Sequence, residues 1–299
     1  MQQVFPKFDS LTLWQVDVFS TSPLAGNPAA VIFGGEQIDD LTMQAIARET
    51  NLSETVFLLP PDAGGDVRLR IFTTRREIDF AVHPAIAAAH ALAEATANRE
   101  PALALECRLG RVAIHRLGPL SQWHCKVPPA RFQPVDLSMD QAAALFGLAK
   151  DRIKADRFEI AATGVPWVMV ELAASVDLDG LDPDHRAIAS MTRKSGAVGV
   201  TVFSRTDGDI VASMRSFAPA EGIYEDPVCG SCAGSLGALL LRDDPALSAR
   251  TAFFVEQGRQ LGRPGRISVL PEHDRLWIGG GSCTVLRGQL ALRENEWHG

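Results

Sequence analysis

No stretch of this 299-residue chain approaches the ~18 consecutive apolar residues that a membrane-spanning helix needs. Met1 to Ser10 lacks the basic region and apolar run of a secretory leader. A soluble, cytoplasmic protein is the expectation. Basic charge is in short supply: 29 Lys and Arg against 36 Asp and Glu leave a net charge of −7, with a pI of about 5.5. The electrostatic footprint of a nucleic-acid binder is therefore missing. Cysteine is sparse and odd in number, at Cys107, Cys125, Cys229, Cys232 and Cys283. That is not a disulfide framework, and reduced thiols are expected. Gly279-Gly280-Gly281 matches no phosphate-loop spacing, so no nucleotide is implied. Cys229-Gly230-Ser231-Cys232 has Cys-x-x-Cys spacing, but only His124-Cys125 could complete a zinc set. Its surroundings also differ from those of a thioredoxin-type redox motif. Neither metal nor cofactor is expected.

What the chain does have is a pair of unusual helix starts. Asp226-Pro227-Val228-Cys229-Gly230-Ser231 puts an acid, a thiol and a hydroxyl just before a helix of small residues, Cys232 to about Leu241. Phe80-Ala81-Val82-His83-Pro84 precedes a second such helix, beginning at Ala85, with proline in its favoured first turn. A helix start carries unpaired N–H groups and partial positive charge, a natural seat for a carboxylate or phosphate. Two seats suggest a small anionic substrate.

The order of elements also occurs twice. Gly26-Asn27-Pro28 is echoed by Gly164-Val165-Pro166, and a helix N-capped by Asp40, with Leu41, Met43, Ala45, Ile46 and Ala47 apolar, by one over Asp182 to Met191. Thr55-Val56-Phe57 returns as Thr201-Val202-Phe203, and Arg70-Ile71-Phe72 as Arg215-Ser216-Phe217. Offsets of 138 to 148 across these elements read as an internal duplication. Strand-rich segments with few helices predict an α+β fold. The expected lobes are 1–129 and 130–285, with Arg131 to Asp136 as linker and a last strand, 286–299, returning to the first.

Four residues are candidates for chemistry. Glu54 stands at the mouth of a strand between residues that look buried, and Val200 occupies its matched position. It is either a strand-end acid facing water or a carboxyl able to exchange protons near neutral pH. His83 either caps its helix or assists a proton relay. Asp226 is a turn former or a substrate ligand. Cys229 is a small buried hydrophobe, or a thiol activated by the helix start. Arg75-Arg76, just before the first helix start, is solvated surface or attracts an acidic substrate.

Taken together these residues resemble the phenazine biosynthesis PhzF-like family, relatives of diaminopimelate epimerase. The matching segments are Val16-Asp17-Val18-Phe19, Gly26-Asn27-Pro28, Asn51-Leu52-Ser53-Glu54-Thr55, Arg70-Ile71-Phe72-Thr73 and Glu77 to Pro84. Phe217-Ala218-Pro219, Glu225 to Ser231, Gln257-Gly258 and Gly262-Arg263-Pro264 complete them. The resemblance implies two pseudo-symmetric lobes, each a curled, mostly antiparallel sheet around a central helix, with the site in the cleft. It further implies a homodimer and cofactor-free proton transfer by Glu54, with His83, Asp226 and Ser231 assisting or binding substrate. Asn27, Ser53, Pro84, Gly230, Ser231 and Cys232 would bind substrate. Val82 replaces the family's usual glycine, and Cys229 a common threonine. The partner thiol of the epimerases matches Ala81.

Three functions are compatible with this pattern. One is an isomerase moving a proton between carbons of a small anionic, amino-acid-like or cyclic substrate. The second is a racemase or epimerase using Glu54 with Cys229. The third is a non-catalytic small-acid binding protein on the same fold.

Overall fold

The computed structural model describes residues 10–118, 120–154, 158–173, 178–273 and 275–292. The chain divides into two compact units, Met1–Cys125 with Gly280–Gly299, and Lys126–Gly279. The first carries β1 (Thr12–Val18), β2 (Asn27–Phe33), α1 (Asp40–Thr50), β3 (Thr55–Leu59), β4 (Val67–Phe72) and β5 (Glu77–Ile78). After α2 (Val82–Ala95) come β6 (Ala102–Cys107), β7 (Gly110–Leu117) and β8 (Gln122–Lys126). The second unit runs through β9 (Arg131–Pro134), α3 (Met139–Ala144), β10 (Glu159–Ala162), β11 (Pro166–Glu171), α4 (His185–Ser195), β12 (Gly199–Arg205) and β13 (Ile210–Ala218). β14 (Ile223–Asp226), α5 (Gly230–Asp243), β15 (Phe253–Gln257), β16 (Gly265–Glu272) and β17 (Arg275–Gly280) follow. The closing strand, β18 (Ser282–Gln289), pairs antiparallel with β1.

In the first unit β1–β2 is antiparallel, β2–β3 parallel, β3–β4 and β4–β5 antiparallel, β4–β6 parallel, then β6–β7 and β7–β8 antiparallel. The second unit has the same order: β10–β11 antiparallel, β11–β12 parallel, β12–β13 and β13–β14 antiparallel, β13–β15 parallel, then β15–β16 and β16–β17 antiparallel. Register corrects one expectation. Ala30 pairs with Thr55 and Thr55 with Phe72, as Val168 pairs with Val200 and Val200 with Phe217. The counterpart of Glu54 is therefore Gly199, not Val200.

Each curled sheet holds one buried helix. In α2 the run Ala85, Ile86, Ala87, Ala88 and Ala89 is inaccessible, and the helix packs on β1, β2, β3, β4 and β18. Alanine brings helix and strands together without the side-chain entropy that longer residues lose on burial. In α5 Cys232, Ala233, Ser235 and Leu236 are fully buried, and the helix packs on β10, β11 and β16. A Cβ on Gly234 would lie 2.7 Å from Thr163 Oγ1, so backbone has to form that contact. The same ion pair fixes the approach to both helix starts. Arg70 grips Glu77 through Nε and Nη2, and Arg215 grips Glu225 in the same two-pronged way.

Local boundaries differ from the sequence reading for identifiable reasons. Asp39, not Asp40, caps α1, accepting from Thr42 N at 2.8 Å, while Asp40 pairs with Arg70. The buried face of α1 is Thr42, Met43, Ile46 and Ala47, and Leu41 is 77% exposed. Arg131–Pro134 is no linker but strand β9, hydrogen-bonded to β10. The short helix α3 went unexpected although Ser138 and Gln141 form a capping box there. No helix among the described residues is long and apolar enough to cross a membrane.

Candidate active site

The first unit brings Glu54 and His83 together. Glu54 sits immediately before β3, and His83 is the second residue of α2. His83 Nδ1 lies 3.4 Å from Glu54 Oε2, with side chains only 8% and 13% exposed. Ala81, not His83, is the N-cap, and it offers no side-chain cap. Burial drives the His83 pKa down to about 3, and a hydrogen bond with the Pro28 carbonyl only partly opposes this. The imidazole is neutral at physiological pH, so its contact with Glu54 is not an ion pair.

The turn before β2 brings Pro28 to His83. Asp17 is fully buried and accepts from Leu24 N at 2.7 Å. Gly26 has φ +68°, and a Cβ there would stand 2.1 Å from the Val18 carbonyl oxygen. Only glycine closes this turn. Asn27 follows, fully buried, at the start of β2. Ser53 is half-buried beside Glu54, and Pro84 is buried in the first turn of α2.

The second unit gathers Asp226, Cys229, Gly230, Ser231 and Cys232 at the start of α5. Cys229 is the N-cap, and its Sγ accepts from Cys232 N at 3.4 Å. Ser231 Oγ accepts from Trp167 Nε1 at 3.0 Å and lies 3.4 Å from Cys229 Sγ. A hydroxyl fixed as an acceptor on one side can still donate its own hydrogen to an anion. The two units use corresponding positions differently. The second residue of α2 meets Glu54, and the second residue of α5 meets Trp167. The indole lies over Gly199, where a Cβ would approach a ring carbon to 2.3 Å. The indole fills the place that an acid takes in the first unit.

Two residues outside the motif hold it. Buried Gln257 accepts from Cys229 N at 2.9 Å and donates to the Asp226 carbonyl at 2.6 Å. Gly258, at φ +88°, lies so close to the Pro227 carbonyl that a Cβ would stand 2.4 Å from its oxygen. In the sequence Asp17 and Gln257-Gly258 stand out only as parts of family-like segments, and nothing local marks Trp167 as a support.

Electrostatics separates the acid from the thiol. Desolvation pushes the Asp226 carboxyl up to about 6, against hydrogen bonds from Cys229 and from Val228 N. It can therefore gain or lose a proton near neutrality. Burial also pushes the Cys229 thiol up, with the neighbouring Cys232 thiol and Asp226 adding to the rise. The activation expected of a helix start is overridden by desolvation. Among the described residues no group of three or more His, Cys, Asp or Glu could hold a metal ion.

The Asp226 shift carries a stability prediction. A carboxyl raised from 3.8 to about 6 contributes stability that is complete below the unfolded value and lost as pH rises through about 6. Asp226→Asn keeps an oxygen for Val228 N and removes the charge. It should raise stability by up to ~3 kcal/mol at pH 8 and by almost nothing near pH 4. Denaturant titration at the two pH values measures this, and equal effects at both would contradict it.

A family model described as phenazine biosynthesis-like protein, PhzC-PhzF, matches residues 16–288. An uncharacterized isomerase of Mesorhizobium japonicum is 34% identical over 286 residues, covering 91% of this chain and 92% of that one. The trans-2,3-dihydro-3-hydroxyanthranilate isomerase of Pseudomonas aeruginosa is 34% identical over 263 residues, 86% of this chain and 89% of that one. The crystal structure of a PhzF-family phenazine biosynthesis protein from Bacillus anthracis superposes with a TM-score of 0.84 at 22% identity. It covers 95% of this chain and 100% of that one. The α+β fold is diaminopimelate epimerase-like.

Proposed function

The chain belongs to the phenazine biosynthesis-like (PhzC-PhzF) family, whose curated relatives include named isomerases, and from that premise we propose that it is a cofactor-independent isomerase. It moves a proton between carbons of a small anionic substrate, cyclic or amino-acid-like. The observation that carries this reading is the buried Glu54–His83 pair. Glu54 takes the proton from a carbon beside a conjugated anionic group and returns it, as the acid, to another carbon. Neutral His83 orients the carboxyl without neutralising it. The first-turn amides of Gly230 and Ser231, with the Ser231 hydroxyl, hold the substrate carboxylate and stabilise developing negative charge. Asp226, titrating near 6, accepts from a substrate amine or hydroxyl. Asn27, Ser53, Pro84 and Cys232 complete the binding walls. The same reading takes the repeated strand order as an internal duplication, one copy in each of the two units, and makes the protein a cytoplasmic homodimer.

The racemase reading requires Cys229 as a second base. Its raised thiol pKa and its contact with Cys232 work against that. Wild type incubated in deuterated water with small amino and hydroxy acids, first selected by thermal shift, should place deuterium at a substrate carbon, and Glu54→Gln should not. Exchange undiminished in Glu54→Gln would remove the assignment. Binding with no exchange in wild type would favour a non-catalytic binding protein.

A further inference from the structure

The cysteine pair at the start of α5 was set aside in the sequence because it lacks zinc partners and a thioredoxin-like setting. Its geometry points elsewhere. Cys229 is the N-cap and Cys232 lies in the first turn, three residues on, so both side chains fall on one side of the helix start. The Cys232 thiol donates to Cys229 Sγ at 2.7 Å, whereas a disulfide bond measures about 2.05 Å. Both thiols are free. We propose that Cys229 and Cys232 are an oxidisable dithiol, closed to an intramolecular disulfide by a small two-electron oxidant of the peroxide class.

The two cysteines have different roles. Cys229 is 5% exposed and Cys232 is fully buried, so Cys229 meets the oxidant. Its thiolate attacks one peroxide oxygen. The O–O bond breaks, the leaving oxygen takes up a proton to depart as water, and a Cys229 sulfenic acid remains. Cys232 Sγ then attacks the Cys229 sulfur. The S–S bond forms as the S–O bond breaks, and the hydroxyl leaves as a second water with the Cys232 proton. Two thiols and one hydrogen peroxide give one disulfide and two waters. The Cys232 N–H that points at Cys229 Sγ stabilises the attacking thiolate. Burial of the thiol makes the first step slow and restricts it to small oxidants. Larger disulfides such as oxidised glutathione do not reach the pair in the folded chain. Closure removes the hydrogen-bonding capacity of Cys229 Sγ beside Ser231, 3.4 Å away.

The test is mass spectrometry on the full, folded chain. Reduced protein is treated with hydrogen peroxide, then denatured and alkylated, and each of the five cysteines is read by peptide. The expected result is loss of the alkyl label from Cys229 and Cys232 together, with a peptide lighter by two hydrogens, and recovery of both labels after dithiothreitol. In Cys232→Ser the reaction should stop at a Cys229 sulfenic acid, trapped by a 1,3-dione. If wild type instead accumulates the trapped sulfenic acid, or keeps both labels under conditions that oxidise half-exposed Cys283, the proposal is overturned. The readout needs no substrate, so its failure is distinct from failure of the isomerase reading.

Discussion

Glu54→Gln is expected to lower kcat by about 10²–10⁴-fold, the usual range for removing a general acid–base group, while leaving the fold and substrate binding nearly intact. Glutamine has the same shape, and its side-chain amide can maintain the 3.4 Å contact with His83. No charge-pair energy is lost, because the imidazole beside it is neutral. What disappears is the ability to carry a proton. A 10³-fold loss corresponds to ~4 kcal/mol of transition-state stabilisation, several times the worth of an ordinary hydrogen bond. Stopped or continuous assays on a substrate found by exchange screening give kcat, and thermal shift gives binding. A kcat within tenfold of wild type would mean that Glu54 only lines the site. A large loss of binding with unchanged kcat would recast it as a substrate ligand.

The two units differ at the position that Glu54 occupies. Register places Gly199 opposite Trp167 where Glu54 stands in the first unit. The backbone plan therefore tolerates an acid, an alanine or an indole at these positions. Chemistry depends on which side chain is present, and the strand order alone would not reveal it.

Much of this site was legible because it is local. Asp226 to Ser231 and Phe80 to Pro84 each hold their signal within six residues, and small residues in the following helices are visible by eye. The two strand–strand–helix plans could be counted off by offset. What escaped depends on distant contacts or on one-residue registers. Trp167 reaches Ser231 across 64 positions, and Gln257 reaches Cys229 across 28. No local pattern announces either. The choice between Asp39 and Asp40 as cap was settled by Arg70, thirty residues away, which draws Asp40 into an ion pair. Leu41 fitted an apolar pattern but faces outward, because Met43 and Ile46 set the buried face of α1. The matched position of Glu54 moved by one because strand ladders, not sequence likeness, fix register. At Cys229 the sequence leaves two readings open, a buried hydrophobe or a thiol activated by the helix start, and desolvation outweighs that field.

His83→Gln should flatten the acid limb of the stability profile. A histidine whose pKa falls from 6.5 to about 3 on folding contributes stability that is complete above 6.5 and lost as pH falls towards 3. The unfolded chain takes up a proton there that the folded chain refuses. The full effect is ~5 kcal/mol, of which ~3 kcal/mol is gone by pH 4. Glutamine keeps a donor for the Pro28 carbonyl but does not titrate in this range. Relative to wild type the variant should therefore gain ~3 kcal/mol between pH 7.5 and pH 4, whatever the substitution costs in packing at pH 7.5. Asp226 acts with the opposite sign: its contribution is complete below 3.8 and lost as pH rises through about 6. The two site groups thus oppose each other across the same acidic window, and each single variant should bend the profile the opposite way. Urea midpoints at half-unit pH steps resolve the two slopes. An acid limb as steep in His83→Gln as in wild type would mean that the imidazole takes up its proton as readily in the folded site as in the unfolded chain. Burial would then not hold it neutral, and its contact with Glu54 would become ionic as the pH falls below 6.5.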